Sequence, residues 1–146
     1  MPGLGISLLV LGIRKTRPGQ IRETGKKIIR EKLLQNMKFV LFMDEGIDLS
    51  RLSDIAWIAA NNIDPERDCF TVQDDAGTPF PLLFADATRK TKELDRFDRD
   101  WPNIIVMDDE TIRHVDKIWN KLGLGPFIAS PSLLYKTLVF NRKSTF

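Results

Sequence analysis

KFVLFMDEGIDLSRLSDIAWIAANNIDPERD, running from Lys38 to Asp68, is the stretch that decides the fold class. Lys38 to Met43 is a nearly unbroken apolar run, the pattern of a strand covered on both faces. Asp44-Glu45-Gly46 ends that run with acids and a turn former. From Asp48 to Asn61 the apolar period becomes helical, with Leu52, Ile55, Ala56 and Ala59 on one face. Trp57 and Ile58 widen the apolar surface, which predicts a helix covered on more than one side. Asp64-Pro65 stops it.

The same order repeats upstream. Ile6 to Leu11 is a nearly continuous apolar stretch, Thr16-Arg17-Pro18-Gly19 breaks it, and Gln20 to Asn36 reads as a helix. Ile21, Gly25, Ile28 and Lys32 recur at helical spacing and share one face. Glycine inside a helix costs up to about 1 kcal/mol against alanine, so Gly25 predicts close backbone packing. Downstream, Asp68 to Gln73 reads as a third strand. A β-α-β-α-β order implies parallel strands joined by right-handed crossovers. The expected fold class is α/β: a three-layer α/β/α domain with a mixed, largely parallel sheet.

Residues 76–106 are expected to form a long structured excursion with short apolar pieces, Leu82-Leu83-Phe84 and Ile104-Ile105-Val106. Asp109 then caps an amphipathic helix to Leu122, with Ile112, Val115, Trp119 and Leu122 buried. Gly123, Gly125 and Pro126 end it. Ser130-Pro131 opens one more helix, to about Phe140. The expected division is an α/β domain over 1–125 and a helical tail over 126–146. Leu133, Leu134, Tyr135, Leu138, Val139 and Phe140 crowd apolar surface into that tail. It is therefore expected to dock on another protomer and not on its own domain.

Composition removes much enzymology. The chain has 146 residues, 42% hydrophobic and 29% charged, an ordinary globular balance for one domain. Its longest apolar run, Ile6 to Ile13, is far short of the roughly 20 residues of a membrane helix. Arg14, Lys15 and Arg17 follow that run, the reverse of a signal peptide. Cys69 and His114 are each the only residue of their kind. An intrachain disulfide, a cysteine zinc site and a multi-histidine centre are thereby excluded. A reducing, cytoplasmic setting is expected.

The net charge of +2 hides an asymmetry, because residues 1–38 hold nine Lys and Arg against Glu23 and Glu31, a net +7. Such a segment could face phosphate, nucleic acid or an acidic surface. It contains no aromatic residue, so stacking on bases is absent there. Three places could carry chemistry. The turn Arg14 to Gly19 could bring helix N–H groups and cations to an anion, though neither GxxxxGK[ST] nor GxGxxG is present. Asp44, Glu45 and Asp48 could hold Mg²⁺ at a sheet edge, or Asp48 could simply cap a helix. His114 has Asp116 and Lys117 beside it at spacings that make no triad.

The words of the sequence go further. Asp44-Glu45, Asp54-Ile-Ala-Trp57 and Asp64-Pro65-Glu66-Arg67-Asp68 follow one another in a fixed order. Gly12-Ile13-Arg14-Lys15 with Pro18-Gly19 lies upstream, and Asp86-Ala87-Thr88-Arg89-Lys90 and Ile118-Trp119-Asn120-Lys121-Leu122 lie downstream. Together, over residues 4–123, they resemble the carboxy-terminal domain of the UbiD-like decarboxylases. The resemblance implies a parent enzyme for reversible, non-oxidative decarboxylation of aromatic or unsaturated acids, polyprenyl hydroxybenzoate of quinone biosynthesis among them. It implies prenylated FMN with Mn²⁺ and K⁺ in that parent, a flavin prenyltransferase as supplier, and a preceding flavin-binding domain. It also implies a homo-oligomer. No stretch of this chain matches the family's catalytic or metal-binding motifs, so no catalytic or metal residue is expected here. A detached, inactive carboxy-terminal domain with no cofactor of its own is expected. By the same resemblance, Lys32 is the candidate cofactor-binding residue, reaching a flavin phosphate. The alternative is a non-catalytic anion- or nucleic-acid-binding module using segment 14–38.

Overall fold

The computed structural model describes residues 7–29, 31, 34, 37–73 and 81–140. Strand β1 (Leu8–Ile13) leads through a turn into helix α1 (Gln20–Ile28). Gly19, at the helix start, has φ 73°, a conformation that favours a residue without Cβ. The helix is shorter than its periodicity predicts. Beyond it, Glu31, Leu34 and Met37 donate to the carbonyls of Ile28, Leu34's neighbour three back (Glu31), and Leu34, at 2.8, 2.9 and 3.0 Å. The cause is packing: Ile29 and Leu34 are both buried in one cluster, and five residues of α-helix would turn them well apart. Lys32 lies outside the described residues.

Strand β2 (Phe39–Asp44) pairs parallel with β1, Val10 opposite Leu41. Helix α2 (Leu52–Asn62) begins four residues later than expected. Asp48 does not cap it. Its carboxylate takes the N–H of Ser50 at 3.0 Å and that residue's hydroxyl at 2.6 Å, closing a separate turn. The buried face is Asp54, Ile55 and Ile58, whereas Leu52 and Trp57 are 65% and 45% exposed. Asp54 pairs with Arg51 at 2.9 Å, while Leu52 and Ala56 face outward.

The short helix α3 (Pro65–Asp68) runs directly into strand β3 (Cys69–Val72). Strand β4 (Leu82–Asp86) follows and takes the place between β2 and β3, giving the order β1-β2-β4-β3. β1, β2 and β4 are parallel, and β3 is an antiparallel edge strand on β4. The parallel arrangement read from the element order thus fails for β3. Only nine residues, 73–81, join β3 to β4, fewer than the dozen or so that a parallel crossover between neighbouring strands needs.

Alternation along the strands separates two cores. Val40, Phe42, Leu82 and Phe84 face α1 with Ile21, Ile29 and Leu34. Leu41, Met43 and Ala87 face α2 with Ile55 and Ile58. The three-layer α/β/α arrangement stands. Gly25 packs as its position in α1 predicts: a Cβ there would lie 3.1 Å from Phe70 Cε2 and 3.2 Å from Phe84 Cδ1. Helix α4 (Lys92–Asp95) is capped by Thr91, whose hydroxyl accepts the N–H of Leu94 at 3.2 Å.

Residues 102–146 form a second compact unit, residues 1–101 being the first. Helix α5 (Asp109–Ile118) is capped by Asp108, not Asp109, its carboxylate accepting the N–H of Thr111 at 2.7 Å. A 3-10 turn, Trp119–Lys121, continues it. Trp119 Nε1 donates to the carbonyl of Gly125 at 3.1 Å and meets Phe127 edge-on at 5.7 Å. Helix α6 (Ser132–Tyr135) and the 3-10 turn Lys136–Leu138 form the tail. The tail is tied to residues 103–109 of its own chain. Ser132 Oγ accepts the N–H of Met107 at 3.0 Å, Asn103 accepts the N–H of Phe140 at 3.2 Å, and Lys136 pairs with Asp109. Phe127, Ile128, Leu133, Leu134 and Phe140 are exposed, whereas Tyr135, Leu138 and Val139 are half-buried.

Candidate functional site

The carboxyl ends of parallel strands are where open α/β sheets place ligands. Here β1 delivers Lys15, β2 delivers Asp44, and β4 delivers Asp86 with the loop Ala87 to Lys90. Lys15 is almost completely enclosed. Its ammonium donates to Asp95 Oδ1 at 2.7 Å, Thr88 Oγ1 at 2.9 Å and the carbonyl of Arg89 at 3.0 Å, with Asp86 Oδ2 at 3.9 Å. Lys90 is 1% exposed. Its ammonium donates to the carbonyls of Asp86 and Thr88, both at 2.8 Å, and pairs with Asp86 Oδ1 at 3.2 Å and Asp68 Oδ1 at 3.4 Å.

Asp68 reaches this group because Asp64 starts α3. The Asp64 carboxylate accepts the N–H groups of Glu66 and Arg67 at 3.0 and 3.1 Å, and the Asp64 N–H donates to Asp68 Oδ2 at 2.9 Å. Arg67 then grips Asp68 with two bonds, 2.9 Å from Nε and 2.7 Å from Nη2. The other side of its guanidinium lies 5.3 Å from the centre of the Phe97 ring. Asp86 Oδ1 accepts the N–H and hydroxyl of Thr88 at 2.9 and 2.5 Å, and Asp95 Oδ2 accepts the N–H of Thr91 at 2.8 Å. Three cations, Lys15, Arg67 and Lys90, meet three carboxylates, Asp68, Asp86 and Asp95. Among the described residues no buried side-chain polar atom is left without a partner.

Electrostatics follow this pairing. Burial alone would raise the Asp68 carboxyl, but Arg67, the Asp64 N–H and Lys90 hold it below the usual carboxylate range. At Asp44 burial wins and raises the carboxyl, although it accepts the N–H of Arg89 at 2.7 Å. Burial also pushes the Cys69 thiol up, the opposite of what an activated thiolate needs. A cleft of about 160 Å³ opens beside the cluster, lined by Lys15, Gly19, Ile21, Arg22, Arg67 and Asp95 among others.

The candidates read from sequence fare differently. In the turn before α1, Arg14 pairs with Glu45 and Arg17 with Glu23 (Nη1 to Oε1 2.8 Å), while Lys15 turns inward. The +7 of residues 1–38 is offset within the same unit, because residues 39–101 hold 14 Asp and Glu against 7 Lys and Arg, a net −7. Asp44, Glu45 and Asp48 do not converge: one binds a loop N–H, one an arginine, one its own turn. Among the described residues no three potential ligands are gathered for a metal ion. His114 is exposed on α5. Sequence reasoning quoted Lys15, Arg67, Asp68, Asp86 and Lys90 within separate motifs without seeing that they form one bonded cluster, and missed Asp95 altogether. No helix among the described residues is long and apolar enough to cross a membrane.

Residues 1–89 match the family model described as the 3-octaprenyl-4-hydroxybenzoate carboxy-lyase C-terminal domain. An uncharacterized protein of Archaeoglobus fulgidus is 29% identical over 126 residues, 80% of this chain and 26% of that protein. One from Aquifex aeolicus is 28% identical over 123 residues, 78% of this chain and 25% of that protein. The chain thus spans about a quarter of the length of the curated relatives it matches. The closed form of vanillic acid decarboxylase from Sedimentibacter hydroxybenzoicus is similar in structure, with a TM-score of 0.57 at 16% identity, over 78% of this chain and 26% of that one. The UbiD-class enzyme HmfF from Pelotomaculum thermopropionicum, in complex with FMN, gives 0.51 at 19% identity, over 73% and 25%. At these identities the likeness is one of fold.

Proposed function

The chain belongs to the 3-octaprenyl-4-hydroxybenzoate carboxy-lyase C-terminal domain family, and from that premise we propose that it frames a UbiD-like decarboxylase without carrying the reaction. The observation behind this reading is that the charged motif residues are engaged with one another. Lys15, Arg67 and Lys90 each face a carboxylate or a carbonyl at bonding distance. They offer no free cation to a substrate carboxylate.

Prenylated FMN supplies the electron sink of this chemistry when bound. The described residues do not fit it. The cleft of about 160 Å³ is smaller than the roughly 300–1,000 Å³ of small-molecule sites. Its lysines are already neutralised, and a flavin phosphate would have to break those pairs. On this reading the proton donor, carboxylate clamp and the Mn²⁺ and K⁺ sites belong to a preceding flavin-binding domain. Aromatic or unsaturated acids are the substrate class, and a flavin prenyltransferase supplies the cofactor in the cytoplasm. The FMN held by HmfF and the substrate named for vanillic acid decarboxylase support a flavin and an aromatic acid. The exposed apolar side chains Phe127, Ile128, Leu133, Leu134 and Phe140 support contacts between protomers through the tail, residues 126–146.

The test is incubation of this chain with prenylated FMN, Mn²⁺, K⁺ and a panel of aromatic acids. The expected result is no CO₂ above a no-protein control and no flavin absorbance travelling with the protein on gel filtration. Protein-dependent CO₂ release would overturn the reading.

A further inference from the structure

The segment that follows Lys90 is attached differently from the rest of the sheet. Residues 91–101 run from Thr91 through α4 to Trp101, and α4 has no buried residue. Among the described residues, neither of the two cores contains any part of this segment. Two cations of the ionic cluster hold it instead. Asp95 Oδ1 accepts from the Lys15 ammonium at 2.7 Å, while Asp95 Oδ2 accepts the N–H of Thr91 at 2.8 Å. Further along, Phe97 and Trp101 meet edge-on at 4.9 Å, with ring centres 5.3 and 5.9 Å from the Arg67 guanidinium.

Between these two attachments the backbone is strained. Arg96 has φ 55° and ψ 37°, and among the described residues it is the only one other than glycine at positive φ. Its N–H donates to the carbonyl of Lys92 at 3.1 Å, closing a helix end where glycine is usual. A Cβ there crowds the carbonyl oxygen that follows. Such conformations persist only while their surroundings impose them. Here the surroundings are Lys15 on one side of the turn and Arg67 on the other.

We propose that residues 91–101 form a strap that opens and closes as one unit while both cores stay folded, and that the closed strap withholds the Lys15 ammonium. Segments with few buried apolar contacts sit at the low end of local stability, and this one is held by polar clasps. Opening leaves no charge enclosed and alone. Asp95 departs with the strap and regains water, and Lys15 is wetted while it keeps Thr88 Oγ1 at 2.9 Å and the carbonyl of Arg89 at 3.0 Å. Arg67 keeps Asp68 at 2.7 Å. The strained turn at Arg96 is released in the same movement, which lowers the cost of opening. Asp95 and Lys15 both line the cleft beside the cluster, so the open strap widens that cleft and faces the ammonium into it. Asp95 is therefore an autoinhibitory contact: an outside anion reaches Lys15 only when the strap is open. This inference does not rest on the decarboxylase reading.

Hydrogen exchange of the intact chain, resolved to single amides and repeated in low urea, tests this. The N–H groups of Leu94, Asp95, Arg96 and Phe97 all bond within the strap. They are expected to exchange together, with at least about tenfold less protection than Leu41 and Phe42 of β2 and a weaker dependence on urea. Asp95→Asn leaves Lys15 enclosed without its nearest carboxylate, a state that opening relieves, so strap exchange rises by about tenfold or more and β2 is unchanged. Arg96→Gly removes the strain of the closed turn and slows strap exchange by about threefold or more. Acylation of Lys15 by an activated ester, followed by peptide mass, rises and falls by the same factors. Strap amides that exchange only together with β2 overturn the proposal, and so does an Arg96→Gly strap that exchanges faster than wild type. Acceleration of strap and β2 alike by Asp95→Asn also overturns it. Lys15 acylation that ignores both substitutions overturns the autoinhibitory contact.

Discussion

Strand β4 is held in two ways that differ in kind. On the face toward α1, Phe84 is stacked between Phe70 and Phe42, ring centres 5.3 and 6.2 Å away. At its carboxyl end, Asp86 and the loop to Lys90 are held by an ionic cluster that joins β1, α3 and α4. The rings contribute by removing apolar surface from water, a force with little direction. The charges lose hydration on burial and regain it through geometry, so they stabilise the fold only while every partner is present. The aromatic side should tolerate change of shape in proportion to the volume lost. The ionic side should tolerate almost none.

The largest expected effect is on the aromatic side. Phe84→Ala should destabilise the protein by about 3–5 kcal/mol, the range for emptying a fully buried aromatic site. Urea unfolding should show that loss unchanged between pH 7 and pH 4. A strong pH dependence would mean the two grips are coupled. Next, Lys90→Met should cost about 3 kcal/mol, the low end for breaking a buried pair, because Arg67 still answers Asp68. This loss should depend on pH. Asp68 has a folded-state pKa held below its unfolded value of about 3.9, so its stabilisation is fully present above that value. It disappears as pH falls through the lower folded value. The gap between wild type and Lys90→Met should accordingly narrow in acid, and a gap that stays constant would show that Lys90 acts by packing. The smallest effect belongs to Gly25→Ala. Helix propensity gains about 1 kcal/mol, and crowding against Phe70 and Phe84 costs about 1–3 kcal/mol. A net loss of about 1 kcal/mol is expected from thermal unfolding, and a gain would show that the rings can move aside.

The same contrast explains what could be read before the structure was known. Apolar alternation and helical spacing are local signals, so β1, α1, β2 and α2 were legible, and Gly25 announced its close contact. β4 was not, because Leu82-Leu83-Phe84 is too short for a period and nothing local says that it inserts between β2 and β3. The antiparallel course of β3 depends on that insertion and was lost with it. The ionic cluster joins Lys15 to Asp95, partners 80 positions apart, and no periodicity encodes such a pair. Motif spacing located five of its six members as words without their grammar. The face of α2 was misjudged for a related reason: Asp54, a charge paired with Arg51, lies on the buried face, which a hydrophobic pattern cannot anticipate.

The strand order also bears on how the chain folds in time. β1 and β2 can pair as soon as both exist, but among the described residues β3 has no neighbour except β4, and β2 keeps an open edge until β4 arrives. The sheet therefore cannot close before residue 86 is available, whatever the stability of its first two strands. During synthesis or refolding, Val40, Leu41 and Phe42 wait beside an unfilled slot, and non-local closure of that kind is slow. A chaperone, or a low protein concentration, would matter most in that interval, when a foreign strand could occupy the place that β4 is meant to take.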